Sequence, residues 1–152
     1  MNVTAMPWRA PVLAALAGLV SGVLATVPLL GLALNCLCCA SVWGSAAGVV
    51  LWEKRRHGIS LTPRDGAALG LITGVVSGAV AAAFIIVLTF DPREAAALLR
   101  EARVESEARA IIERLLRLVE SGALTAAIAA FTVVMHTAVG VLGGAAAAAA
   151  IK

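Results

Sequence analysis

The sequence predicts an all-α integral membrane protein: a four-helix bundle built from two hairpins, with one amphipathic interfacial helix between the third and fourth crossings. Three observations predict it. The 152 residues are 61% hydrophobic and 14% charged, with a mean hydropathy of +0.98, whereas a water-soluble domain carries about a quarter of its residues charged. The charges are clumped and leave uncharged stretches over 10–52, 66–90 and 121–151, each reaching the roughly 20 residues that cross a hydrocarbon core about 30 Å thick. Inside those stretches glycine and alanine recur every fourth residue, the spacing that lets helix backbones meet in lipid. The chain therefore reads as one membrane domain, 1–152.

The first stretch holds 43 residues, too many for one crossing and enough for two joined by a short turn. Pro28, Gly31 and Asn35 are the turn-prone residues near its middle, which places crossings at about 10–31 and 36–53. A signal peptide is the rival reading of the first, because Arg9 precedes it and Gly31-Leu32-Ala33 resembles a cleavage site. The apolar run exceeds the roughly 7–15 residues of such peptides, and cleavage would strand the second helix, so retention is expected. Residues 66–90 make the third crossing. The fourth, about 122–150, would be roughly 46 Å long if the whole uncharged stretch were helical, so it is tilted or projects at one end.

Residues 92–120 differ in kind. Asp91 suits an N-cap, Pro92 the first helical position, Glu94 a capping box, and Gly122 a stop. Arg103/Glu107, Glu105/Arg109, Arg109/Glu113 and Glu113/Arg117 pair at i,i+4, while Ala97, Val104, Ala108, Ile111, Ile112, Leu115, Leu118 and Val119 gather on the other face. Such a helix lies on the membrane or on its own bundle, or docks a partner protein.

Four crossings put both termini on the side of the loop Glu53-Lys54-Arg55-Arg56-His57. Its compact basic cluster, with Arg9, Arg64 and Lys152, marks that side as cytoplasmic. Trp8 and Trp52 then share one interface.

Small-residue ladders run through every crossing: Ala10, Ala14, Gly18, Gly22, Thr26; Ala40, Gly44, Gly48; Gly66, Gly70, Gly74, Gly78, Ala82; and Thr132, His136, Gly140, Gly144, Ala148. Without a hydrophobic force between helices, such seams carry association. Gly18–Ala25 and Gly74–Ala81 also match at five of eight positions, as a parallel repeat or by low-complexity coincidence, and set Ser21 and Ser77 at equivalent depths.

His136 is the one ionisable side chain inside a crossing. Charging it in lipid is costly, which makes it the centre of a candidate intramembrane polar site with Ser21, Ser77 and Thr132. It can relay protons, ligate a haem or chlorophyll metal, or hold helices together by hydrogen bonding, and the last reading is preferred. Cys36, Cys38 and Cys39 are candidates for a disulfide or redox role in an oxidising compartment, although thiols acting as small apolar residues sheltered at the interface are the preferred reading. They lack the fourth ligand of a tetrahedral zinc site, since His57 and His136 lie elsewhere, so no metal is assigned. No phosphate loop, HExxH or nucleophile elbow is present, and the pI of about 9.1 comes from residues capping apolar spans and not from a basic stripe on a domain face. Neither an enzyme nor a nucleic-acid partner is expected, and no cofactor.

The string Asn35-Cys36-Leu37-Cys38-Cys39, followed by small residues, the basic loop and Asp65-Gly66-Ala67-Ala68-Leu69-Gly70, resembles small uncharacterised multi-pass membrane proteins of bacteria over residues 10–90. The resemblance implies a bacterial inner-membrane location and carries no functional residue. The leading expectation is a non-catalytic subunit or scaffold, packing through its seams with itself or a larger membrane complex. A small transporter or ion pathway around His136 is the alternative, and a pigment- or haem-binding subunit a further one.

Overall fold

A computed structural model describes residues 8–26, 40–58, 61–87, 111–114, 117–118 and 121–150. Helix α1 spans Arg9–Thr26, α2 Ala40–His57, α3 Pro63–Val87 and α4 Ala123–Ala150, and no strand occurs among the described residues. Helices α1, α3 and α4 are long and apolar enough to cross a membrane.

The described part of α2, Ala40–His57, carries Glu53, Lys54, Arg55 and Arg56 near its C-terminal end, and residues 36–39 of the crossing expected at 36–53 lie outside the described residues. The described helix continues through Glu53, Lys54, Arg55 and Arg56 to His57. The basic residues extend the helix instead of ending it, because cations are favoured beside the free carbonyls of a last turn. The stop comes from Gly58, whose φ of 63° is open to glycine and whose N–H donates to the Lys54 carbonyl at 2.9 Å.

Helix α3 begins three residues before the expected 66, at a capping box. The Thr62 N–H and hydroxyl donate to the Asp65 carboxylate at 3.0 and 2.6 Å, the Asp65 N–H returns to Thr62 Oγ1 at 3.3 Å, and Pro63 occupies the first helical position. Before α4, the Ser121 N–H still reaches the Arg117 carbonyl at 3.0 Å, and Gly122 then turns the chain at a φ of 71°. Residues 111–114 and 117–118 are helical, with Ile111 and Leu118 of the expected apolar face exposed. The remainder of 92–120 lies outside the described residues, as does the turn at Pro28, Gly31 and Asn35.

Helix α3 is the hub, packing most extensively on α4 and next on α1, while α2 closes against α4, α1 and α3. The interior is made of small side chains: Ala10, Ala14, Val49, Val50, Leu69 and Ala148 form one cluster. The large apolar side chains point outward, with Leu16 58%, Phe131 66% and Leu142 67% exposed. Small inside and large outside suits a hydrocarbon solvent, which removes the penalty water would impose on such a surface.

Candidate intramembrane site

The site is built on the seam between α3 and α4. A methyl group added at Gly66 would strike the Gly144 carbonyl, one at Gly70 the Gly140 carbonyl, and one at Gly74 the His136 carbonyl; the reciprocal additions at Gly144 and Gly140 would strike Gly66 and Gly70. Each four-residue step up α3 is thus matched by a four-residue step down α4, an antiparallel register in which backbone meets backbone. Seams of this kind recruit Cα–H···O contacts as well as dispersion. Helix α1 joins the other side of α3 in parallel: a methyl at Gly18 would come to 2.5 Å from the Thr73 carbonyl oxygen, and one at Gly22 to 2.8 Å from that of Ser77. Gly44 and Gly48, expected to form a fourth seam, have none of the described residues within 4 Å of such a methyl. Helix α2 packs instead through Val42, Ala46, Val49 and Val50, which correspond to the helix face bearing branched side chains.

This register places His136 on the rung opposite Gly74. The ring is 5% exposed. Its Nδ1 lies 2.8 Å from the Thr132 carbonyl oxygen, and because a carbonyl only accepts, Nδ1 is the donor. Among the described residues Nε2 has no hydrogen-bond partner. On the facing helix, Ser77 is fully buried and its Oγ is likewise without a partner; the next residue, Gly78, packs against the His136 Cβ. The other two expected members are spent on their own helices: Ser21 Oγ donates to the Gly18 carbonyl at 3.0 Å and Thr132 Oγ1 to the Ile128 carbonyl at 2.8 Å. One basic and one hydroxyl group, both sheltered, are what remains for a ligand or proton.

Two buried polar residues were not anticipated. Thr73 Oγ1 lies within hydrogen-bond distance of the Ala14 carbonyl at 3.2 Å and the Leu69 carbonyl at 3.0 Å, which ties α3 to α1. Its signal was its place four residues before Ser77, on the face turned to α1. Glu53, read above as part of a charged loop, is 2% exposed, and its Oε2 accepts no hydrogen bond.

The redox candidates Cys36, Cys38 and Cys39 lie outside the described residues. Among the described residues no group of three or more His, Cys, Asp or Glu could hold a metal ion.

Fold and site define a class: an all-helical protein with three membrane-capable helices wound on glycine seams, enclosing a small polar centre. Compared with protein-family models, curated proteins and solved structures, the chain matches none of them.

Proposed function

We propose that this protein is a non-catalytic integral membrane subunit or scaffold of the bacterial inner membrane, a four-helix bundle of two hairpins with both termini cytoplasmic. The single observation that carries the reading is the α3–α4 seam, where Gly66, Gly70, Gly74 and Gly78 of α3 meet the backbone of α4. That arrangement builds a rigid body and leaves little room for a substrate. Because the seams of α1, α3 and α4 are consumed within the chain, contact with a second copy or a larger complex falls to other surfaces, above all the amphipathic segment 92–120, whose Ile111 and Leu118 are exposed.

The experiment is native mass measurement in mild detergent. The wild type should run as an oligomer or with a defined partner, and Ile111→Glu/Leu118→Glu should return a folded monomer; a wild type that is already a bare monomer overturns the reading. The unpartnered His136 Nε2 and Ser77 Oγ favour a second reading, an ion pathway. Proton or cation flux in proteoliposomes that disappears in His136→Ala would establish that reading in place of the first.

A further inference from the structure

We propose that the outer face of α2 is a binding site for an anionic glycerophospholipid, one molecule held at the level where α2 leaves the membrane. The inference rests on the membrane reading and adds to it a specific lipid class and named contacts.

A surface concavity of about 400 Å³ lies on this face, lined by Gly48, Leu51, Trp52, Arg55 and Arg56. The spacing of these residues puts all of them on one side of the helix, ordered along its axis. Gly48, Leu51 and Trp52 form the end toward the apolar part of α2, and Arg55 and Arg56 the end toward its charged terminus. Gly48 supplies the hollow, since among the described residues nothing lies within 4 Å of where a side chain would begin. Trp52 forms a wall and is 47% exposed. The Arg56 guanidinium sits over the indole, 5.4 Å from its centroid, an arrangement that holds the cation in place and leaves its edge N–H groups free for an anion.

The charge on this face is of one sign. Glu53, the neighbouring carboxylate, is turned into the protein, and neither Arg55 nor Arg56 forms an ion pair among the described residues. The carbonyls at the C-terminal end of α2 oppose an anion, so the guanidiniums themselves must carry it, and two of them can grip a phosphate by paired hydrogen bonds. A free phosphate has no use for the apolar hollow, and an acidic peptide would find no polar partners in it. A molecule with a phosphate head and an acyl tail matches both ends in the right order, with the indole at the boundary where such rings settle.

The test uses the full-length chain with Trp8→Phe and Trp43→Phe, which leaves Trp52 as the only tryptophan of the three. It is reconstituted in phosphatidylcholine vesicles containing a minor fraction of phosphatidylglycerol, with brominated acyl chains on one lipid or the other. Quenching of Trp52 should report a roughly fivefold enrichment of phosphatidylglycerol, the factor that one well-placed basic residue supplies at a membrane surface. Arg55→Gln/Arg56→Gln should abolish the enrichment, Gly48→Phe should reduce it by filling the hollow, and Arg64→Gln should leave it intact. Equal quenching by both lipids overturns the site. So does a loss in Arg64→Gln as large as in the double variant, which would mean diffuse charge, or an enrichment unchanged in Gly48→Phe. Displacement by millimolar inorganic phosphate overturns it in favour of a free-anion site. Absence of quenching by either brominated lipid overturns the membrane reading along with it.

Discussion

Glu53 lies buried on the inner face of α2, only 2% exposed. A carboxylate oxygen shut away from water without a hydrogen bond is costly, and Oε2 is in that position on a helix face otherwise made of Val42, Ala46, Val49 and Val50. Glu53→Met keeps the volume and removes the orphaned oxygen. Thermal unfolding in detergent should show a gain of about 1–3 kcal/mol, and a loss would mean that the carboxylate is held by a partner in the assembled protein. The burial of Glu53 was legible in principle. Positions 42, 46, 49, 50 and 53 advance by the steps of four and three that trace one helix face, but the run Lys54-Arg55-Arg56-His57 reads as solvated loop unless the helix is known to continue through it. His136 was easier, because its place on a small-residue ladder already turned it toward protein. What the ladder could not show is which polar atoms remain unpaired, since Ser21 and Thr132 satisfy themselves on their own carbonyls and spacing does not reveal a rotamer.

Among the elements, α2 and α3 make the informative contrast, for both carry glycines four apart and only α3 uses them. Gly70→Ala drives a methyl into the backbone of α4 and should destabilise the protein by roughly 1–3 kcal/mol, whereas Gly48→Ala meets nothing and should be neutral or gain up to about 1 kcal/mol from helix propensity. Unfolding in mixed detergent measures both; equal effects at the two positions would contradict the seam. The ladder on α3 is long enough, four glycines and an alanine, to specify a face. The α2 pair is too short to do so, and the branched residues on its other side win the interior. Helix ends followed the same logic of competing signals. Gly122 stands out as a stop, while Thr62-Pro63-Arg64-Asp65, a capping pattern of equal quality, is obscured by its two charges when crossings are drawn from uncharged runs.

At the scale of the whole molecule, the described helices are arranged inside out relative to a water-soluble protein, with alanine, glycine, a few valines and Leu69 in the middle and most leucines, isoleucines and phenylalanines around them. Such a surface predicts that alkaline carbonate washing of membranes will leave the full-length chain in the pellet and that detergent will release it. Recovery in the wash would count against every assignment of a crossing. The three long apolar helices were legible because length and composition alone mark them. The first uncharged stretch is harder to read, since its 43 residues divide into two crossings on paper wherever the turn is drawn, and that turn lies outside the described residues.

The interlocked rungs of α3 and α4 also limit how the protein can change shape. Two backbones already in touch cannot slide by a fraction of a rung without forcing a carbonyl onto an α-carbon, so the nearest alternative alignment is a whole step of about 6 Å away. Axial creep between these two helices is therefore blocked, and among the described residues a working stroke falls to α1, to α2, or to the glycine joints at 58 and 122.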